Sequence, residues 1–97
     1  MMSIYGIDFV SATGENLQTV WFGHSEGVAL MIKDVCGMYP SGWDVMTCDR
    51  LAEILENGIG LLKERSGDLA RAAGAILTDV LANCRSYPDA HVVVTLG

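Results

Sequence analysis

The sequence predicts an α+β fold, in which a small three-stranded antiparallel sheet packs against three helices in the order β-β-α-α-α-β. Two helix signatures follow one another between Thr47 and Asn83, and an apolar strand run, residues 91–96, comes after them. A chain of 97 residues is close to the commonest domain size and can bury one modest core. Residues 1–97 are therefore expected to form a single compact domain.

The first part of the sheet is predicted to be an antiparallel hairpin. Tyr5, Ile7 and Phe9 occupy alternate positions, which is the period of a strand with one buried face. A turn cluster, residues 13–16, follows them, and residues 17–22 are rich in side chains that favour strands. These features indicate two strands joined by a loop of about four residues.

Three helices are predicted from their capping residues and from apolar side chains at helical spacing. Ser25 can cap the first helix, and Gly37 suits its left-handed end. Thr47 can cap the second and Ser66 the third, which ends at Tyr87-Pro88-Asp89. The apolar positions are Val28, Met31, Ile32 and Val35, then Leu51, Ile54, Leu55, Ile59 and Leu62, then Leu69, Ala73, Ile76, Leu77, Val80, Leu81 and Cys84.

The last strand is expected to pair with the hairpin, and the sequence leaves open at which of its two edges. One sheet face and three helix stripes would then share one core. The predicted core residues are Ile7, Phe9, Val20, Phe22, Val28, Ile32, Leu51, Leu55, Leu62, Ile76, Leu77, Val80, Val92 and Val94.

Charge and composition exclude several classes of partner. Twelve acidic residues against six basic ones give a formal net charge of −6. This balance disfavours direct binding to nucleic acid or to anionic lipid, because Lys and Arg supply the affinity for both. The apolar runs are far shorter than the roughly 18 residues of a membrane span. A basic protein surface is the partner that this charge favours.

The cysteines and the N-terminal residues predict a cytoplasmic protein. Cys36, Cys48 and Cys84 are odd in number and widely spaced, which favours reduced thiols over a secreted disulfide framework. The first eight residues have no basic flank and include Asp8, so they do not resemble a signal peptide.

No catalytic, metal or nucleotide motif is present, and we expect no cofactor. Cys48 follows the predicted Thr47 cap, where the helix dipole favours a thiolate and where exposure is expected. A Cys-His pair using His24 or His91 is the enzymatic alternative. Neither histidine has a neighbour at a recognised metal-ligand spacing.

The second helix carries an acidic stripe. Asp49, Glu53 and Glu56 fall at positions i, i+4 and i+7, which places them on one side of the helix. Successive carboxylates there lie about 6 Å apart along the axis, close to the spacing of phosphates on a nucleic-acid strand. The stripe is therefore either an imitation of a phosphate backbone or an ordinary solvated helix face.

Aromatic residues in the loop before this helix are the candidate hydrophobic anchors. Trp43 and Tyr39 flank a Pro-Ser-Gly turn, and Trp and Tyr dominate binding hot spots. The alternative interpretation is that the loop folds back, so that these rings cap the core.

Together these features favour a small, acidic, non-enzymatic protein-binding module, a stoichiometric inhibitor that covers a basic surface on its target. At the level of size, charge and missing motifs it resembles immunity proteins, antitoxins and phage counter-defence proteins. Asp49, Glu53, Glu56, Trp43 and Tyr39 are the predicted binding residues. Two alternatives remain open. One is a homo-oligomeric assembly module that uses the third helix or a strand edge. The other is a small enzyme or ligand-binding domain with a pocket near Cys48 or His24.

Overall fold

The chain follows the predicted order of elements. The computed structural model describes the backbone of residues 2–96 and the side chains of residues 4–96. The elements are β1 (Met2–Val10), β2 (Asn16–Ser25), α1 (Glu26–Cys36), a short 3₁₀ helix (Pro40–Trp43), α2 (Cys48–Leu62), α3 (Asp68–Ser86) and β3 (His91–Leu96). The α+β fold class and the β-β-α-α-α-β order are confirmed.

The three strands form one antiparallel sheet with β1 in the middle, in the order β2-β1-β3. Ile7 of β1 lies opposite Val20 of β2 and Val94 of β3. This register places the apolar side chains of all three strands on the same face, because side chains alternate along a strand. The final strand thus pairs with the first strand of the hairpin, which settles the alternative that the sequence left open.

The core lies between that sheet face and the three helices. Ten of the fourteen predicted core residues are buried, and Val20, Phe22, Ile76 and Val94 are only partly buried at its margin. The core also contains residues outside that list of fourteen: Val35, Trp43, Cys48, Ala70, Ala73, Leu81, Cys84 and Ala90. Of these, Val35, Ala73, Leu81 and Cys84 lie on the apolar stripes predicted for their helices.

Helix capping follows the prediction at two of three starts. The Ser25 side chain accepts a hydrogen bond from Val28 N, and the Thr47 side chain accepts one from Arg50 N. The predicted Ser66 cap is wrong, because α3 begins one residue later, after Gly67. Gly67 has a φ of 101°, a conformation that favours glycine and that sets the start of this helix.

One other boundary and one predicted stripe position differ from the predictions. β2 continues three residues beyond Phe22, to Ser25, because the ladder with β1 extends to Met2. Leu69, predicted on the apolar stripe of α3, is largely exposed and lies over Gly27 at the start of α1. It lies in the first turn of α3, where the helix reaches the margin of the core.

The outer edge of β3 is covered by the segment before α2. Val45 N–H donates to the Val92 carbonyl over 2.8 Å, and Val92 N–H donates to the Met46 carbonyl over 2.9 Å. Val94 N–H donates to Asp44 Oδ1 over 2.8 Å. Both backbone groups of Val92 and the N–H of Val94 therefore have partners within the chain. Covering an edge strand in this way prevents it from pairing with another chain.

Candidate partner-binding surface

The acidic face, defined as Asp49, Glu53 and Glu56, lies on the solvent side of α2. All three residues are exposed. The opposite side of the helix is buried through Leu51, Leu55 and other apolar residues. The helical period accounts for this arrangement, since residues three and four apart share a face. The structure brings these three predicted residues together.

The negative charge of the acidic face is concentrated at its N-terminal end. Arg85 Nη2 donates to Glu56 Oε1 over 2.8 Å, so this carboxylate is paired with a cation on α3. Asp49 and Glu53 form no ion pair within residues 4–96. Asp89 is exposed as well and lies near this end of the helix, because Ala90, the residue after it, accepts a hydrogen bond from Cys48 N–H at the start of α2. Asp49 and Glu53 are therefore the two carboxylates of the acidic face that are exposed without a cation partner.

Trp43 does not belong to this surface, and its prediction as a binding anchor is wrong. Its side chain has 0% exposure and is the largest residue in the core. A 3₁₀ helix has three residues per turn, so Pro40 and Trp43 point the same way, and both are buried. The alternative, in which the loop folds back and caps the core with this ring, is the one observed.

Tyr39 is partly accessible but is engaged with a different helix. Its exposure is 37%, and Lys33 Nζ of α1 lies 5.0 Å from the centre of its ring. A cation over an aromatic face is attracted by the ring quadrupole. Tyr39 thus contacts α1, and no hydrogen bond or ion pair in the described part of the chain links it to the acidic face.

Cys48 is buried, contrary to the expectation of an exposed thiol at the helix start. Its N–H donates to the Ala90 carbonyl over 2.9 Å, which ties the first turn of α2 to β3 and turns the side chain inward. Burial raises the pKa of the Cys48 thiol, and its neighbour Cys84 and the charge of Asp49 have smaller effects. Burial likewise raises the pKa of Cys84. Since the thiolate is the nucleophile, this environment opposes cysteine catalysis.

The histidines lie at opposite ends of the sheet. His24 lies opposite Ser3 at one end and His91 opposite Val10 at the other. His24 is buried, and its Nδ1 donates to the Ser25 carbonyl over 3.1 Å. Its ring stacks on Tyr5, and its Nε2 has no partner within residues 4–96. It therefore fills space in the core, far from Cys48 at the other end.

Within residues 2–96 no group of three or more His, Cys, Asp or Glu side chains is arranged to hold a metal ion. None of the helices in this range combines the length and hydropathy needed to cross a membrane.

Sequence reasoning missed one exposed aromatic residue. Trp21 of β2 is 61% exposed and lies on the sheet face opposite the helices, beside Gly6. The sequence does indicate this exposure, because Val20 and Phe22 were predicted in the core and successive side chains of a strand point to opposite faces of the sheet. Residue 21 must then point away from the helices. Ile4, also largely exposed, lies on the same face.

Comparison with known proteins provides no relative from which a function could be transferred, so the function is inferred from the chemistry of the surface. No protein-family profile matches the chain, and no curated protein or solved structure is significantly similar to it.

Proposed function

We propose that this protein is a non-enzymatic binding module that inhibits a partner stoichiometrically, by laying its acidic face on a basic surface of that partner. The observation that carries the proposal is the pair of exposed, unpaired carboxylates, Asp49 and Glu53, on one helix. Immunity proteins, antitoxins and phage counter-defence proteins provide examples of this mode of action, and the chain resembles them in size and charge.

The acidic face is held rigidly, which favours tight binding. Four buried side chains anchor α2 to the core: Cys48, Leu51, Leu55 and Leu62. The Thr47 cap and the hydrogen bond from Cys48 N–H to Ala90 hold its first turn, where Asp49 lies, and Glu53 follows one turn later. A pre-organised surface loses little conformational freedom on binding, so more of its interaction energy appears as affinity.

The chemistry of the partner follows from the charge pattern. Carboxylates about 6 Å apart along a helix resemble successive phosphates, so a groove that binds nucleic acid is the basic surface they fit best. The protein's net charge of −6 would speed the encounter with such a groove and orient the two molecules. These contacts lie on the surface and are therefore sensitive to salt.

The proposal is tested by capture from native cell extract with the tagged protein, using low-salt and then high-salt washes. The test variant reverses the acidic face, with Asp49→Lys, Glu53→Lys and Glu56→Lys. A matched control makes the same charge change elsewhere, with Glu15→Lys, Glu64→Lys and Asp79→Lys, all of which are exposed residues. We expect a basic protein that the wild type and the control retain, that the test variant loses, and that high salt releases.

The reversed variant is expected to stay folded, so that a loss of binding can be interpreted. Asp49 lies in the first turn of α2, and reversing it there costs about 0.5–1 kcal/mol through the helix dipole. Breaking the exposed Glu56–Arg85 pair costs at most about 1 kcal/mol. Circular dichroism checks the fold, and titration calorimetry with the captured protein should give one-to-one binding. Equal retention by all three proteins would refute the proposed surface.

A further inference from the structure

The two edges of the sheet differ in whether their backbone groups have partners. On β3, Val92 and Val94 turn their N–H groups away from the sheet, toward Met46 and Asp44. Val45 also donates to the Val92 carbonyl. The segment before α2 thus occupies that edge. No described backbone or side-chain group outside β2 bonds to the outer edge of β2.

The residues that form the free edge of β2 follow from the register. In an antiparallel sheet, alternate residues direct both backbone groups to the same neighbouring strand. Because Val92 and Val94 point outward, Val93 between them bonds to β1, where it lies opposite Asp8. The next residue, Ile7, must then bond to Val20 on the other side. The backbone groups that point away from the sheet on β2 therefore belong to Thr19, Trp21 and Gly23.

The position of Trp21 agrees with this assignment. A residue that does not exchange hydrogen bonds with its opposite neighbour brings its side chain closer to that neighbour. Trp21 lies opposite Gly6, and its ring covers that glycine so closely that a Cβ on Gly6 would lie 2.6 Å from Trp21 Cζ3. The ring is thus folded over β1, and the backbone of Trp21 is left free.

β2 has few of the devices that usually prevent edge strands from pairing, and its one irregularity, a register shift at Leu17, lies near its start. Its ten residues, Asn16–Ser25, include no proline and no charged side chain. Natural proteins protect long edges with lysine, proline, bulges or covering loops. The register shift of β2 lies outside the stretch 19–23, and within the described residues the covering segment is on β3. In a chain with a net charge of −6, an uncharged strip of this length is where two copies can meet without like charges in contact.

We infer that β2 is a self-association edge, and that a second copy of this chain adds its own β2 antiparallel to it to form a continuous six-stranded sheet. A two-fold axis at Trp21 pairs this residue with its own copy, and Thr19 with Gly23 of that copy. All three outward residues then find outward partners, giving about six new hydrogen bonds. If the register were shifted by one residue, the outward backbone groups of Thr19, Trp21 and Gly23 would lie opposite residues whose own groups point toward β1, and these hydrogen bonds could not form.

The contact is large enough for a weak, reversible dimer. A ten-residue strand is about 34 Å long. Helix α3 also contacts β2, and Leu17 of β2 lines one pocket together with Tyr87, which follows α3. Two strands of this length paired edge to edge form a small contact, which fits a weak and reversible dimer. Glu15 and Glu26 lie just beyond the two ends of β2, and Glu15 of one copy would approach Glu26 of the other, so salt should strengthen this dimer.

Sedimentation equilibrium of the full chain, from micromolar to near-millimolar concentration, tests the inference. We expect the mass to rise toward twice the 10.4 kDa of one chain, and more readily at high salt. Trp21→Lys should weaken self-association by about tenfold, because it removes an aromatic pair and sets two like charges side by side. The matched control is Ile4→Lys, which adds the same charge to the same sheet face, but on β1.

Hydrogen exchange tests the register directly. The amides of Thr19, Trp21 and Gly23 should exchange fast in dilute solution and slowly at high concentration, whereas the Val20 amide is protected in both. A single-chain mass at every concentration overturns the inference. A dimer that Trp21→Lys leaves intact also overturns it. So does a dimer that Trp21→Lys and Ile4→Lys abolish equally, because that result would place the contact on the sheet face and not on the edge of β2. Circular dichroism confirms that each variant is folded.

Discussion

Gly58 of α2 faces the thiol of Cys36 on α1 so closely that a Cβ at position 58 would lie 2.7 Å from Cys36 Sγ. The same Cβ would lie 3.3 Å from Leu77 Cδ1 of α3. Gly58 is thus the point at which all three helices converge, and its missing side chain allows the approach. A glycine that weakens the helix locally therefore strengthens its packing.

The two glycines of α2 should respond in opposite directions to alanine. Gly58→Ala is expected to lower the free energy of unfolding by about 1–3 kcal/mol, because the added methyl group overpacks a buried site. Gly60→Ala, with nothing within 4 Å of its Cβ, should raise it by up to about 1 kcal/mol through helix propensity. Urea denaturation of both variants checks this. Equal effects would mean that helix propensity, not packing, governs position 58.

The three thiols should be nearly unreactive in the native protein. Burial raises the pKa of Cys36 to about 11 and raises the pKa of Cys48 and of Cys84 as well. At pH 8 a thiol with a pKa near 11 has roughly one-hundredth of the thiolate of an ordinary cysteine. Labelling with an aromatic disulfide reagent should therefore be slow until denaturant is added, when three thiols react. A fast native phase at one residue would contradict the buried assignment.

The stability of the protein should fall at alkaline pH in part because of Cys36. Its pKa is 9.0 in the unfolded chain and about 11 in the folded one. The unfolded state therefore loses its proton first, so the stabilisation is complete below pH 9 and disappears as the pH rises toward 11. Thermal melts of the wild type and of Cys36→Ala across this range check the sign. The variant should lose less stability between pH 9 and 11.

The two tryptophans should differ sharply in their contribution to stability. Trp43→Ala empties a fully buried site and is expected to cost about 3–5 kcal/mol. Trp21→Ala removes a mostly exposed ring and should cost about 1 kcal/mol or less. Because Trp43 Nε1 has no hydrogen-bond partner in the described chain, Trp43→Phe should cost much less than Trp43→Ala. Chemical denaturation ranks the three variants, and a large effect at Trp21 would contradict its exposure.

The side chain of Asp44 should be needed to cover the edge of β3. Asp44→Ala leaves the Val94 N–H without its acceptor and is expected to cost about 1–2 kcal/mol. Asp44→Asn keeps an amide oxygen in the same place and should retain most of that stability. Hydrogen exchange at the Val94 amide separates the two variants. Slow exchange in Asp44→Ala would show that another group covers this edge.

Much of the fold was predictable because it depends on local rules. Alternation in β1, the Ser25 and Thr47 caps and the stripe of α3 each reflect a preference that neighbouring residues determine. The acidic face was predictable for the same reason, since helical spacing alone sets its geometry. The start of α3 was missed because the sequence does not show that Gly67 adopts a positive φ, and Ser66 beside it is an equally plausible cap.

The sequence by itself determined the fold class, the order of elements and the exposure of Asp49, Glu53 and Glu56, because periodicity and capping act within a few residues. Only the tertiary structure decided the burial of Trp43 and Cys48, since both depend on contacts with β3 and the helices, which are distant in sequence. It also decided which sheet edge is covered. Val94 finds Asp44 fifty positions away, and no local pattern encodes a hydrogen bond of that reach.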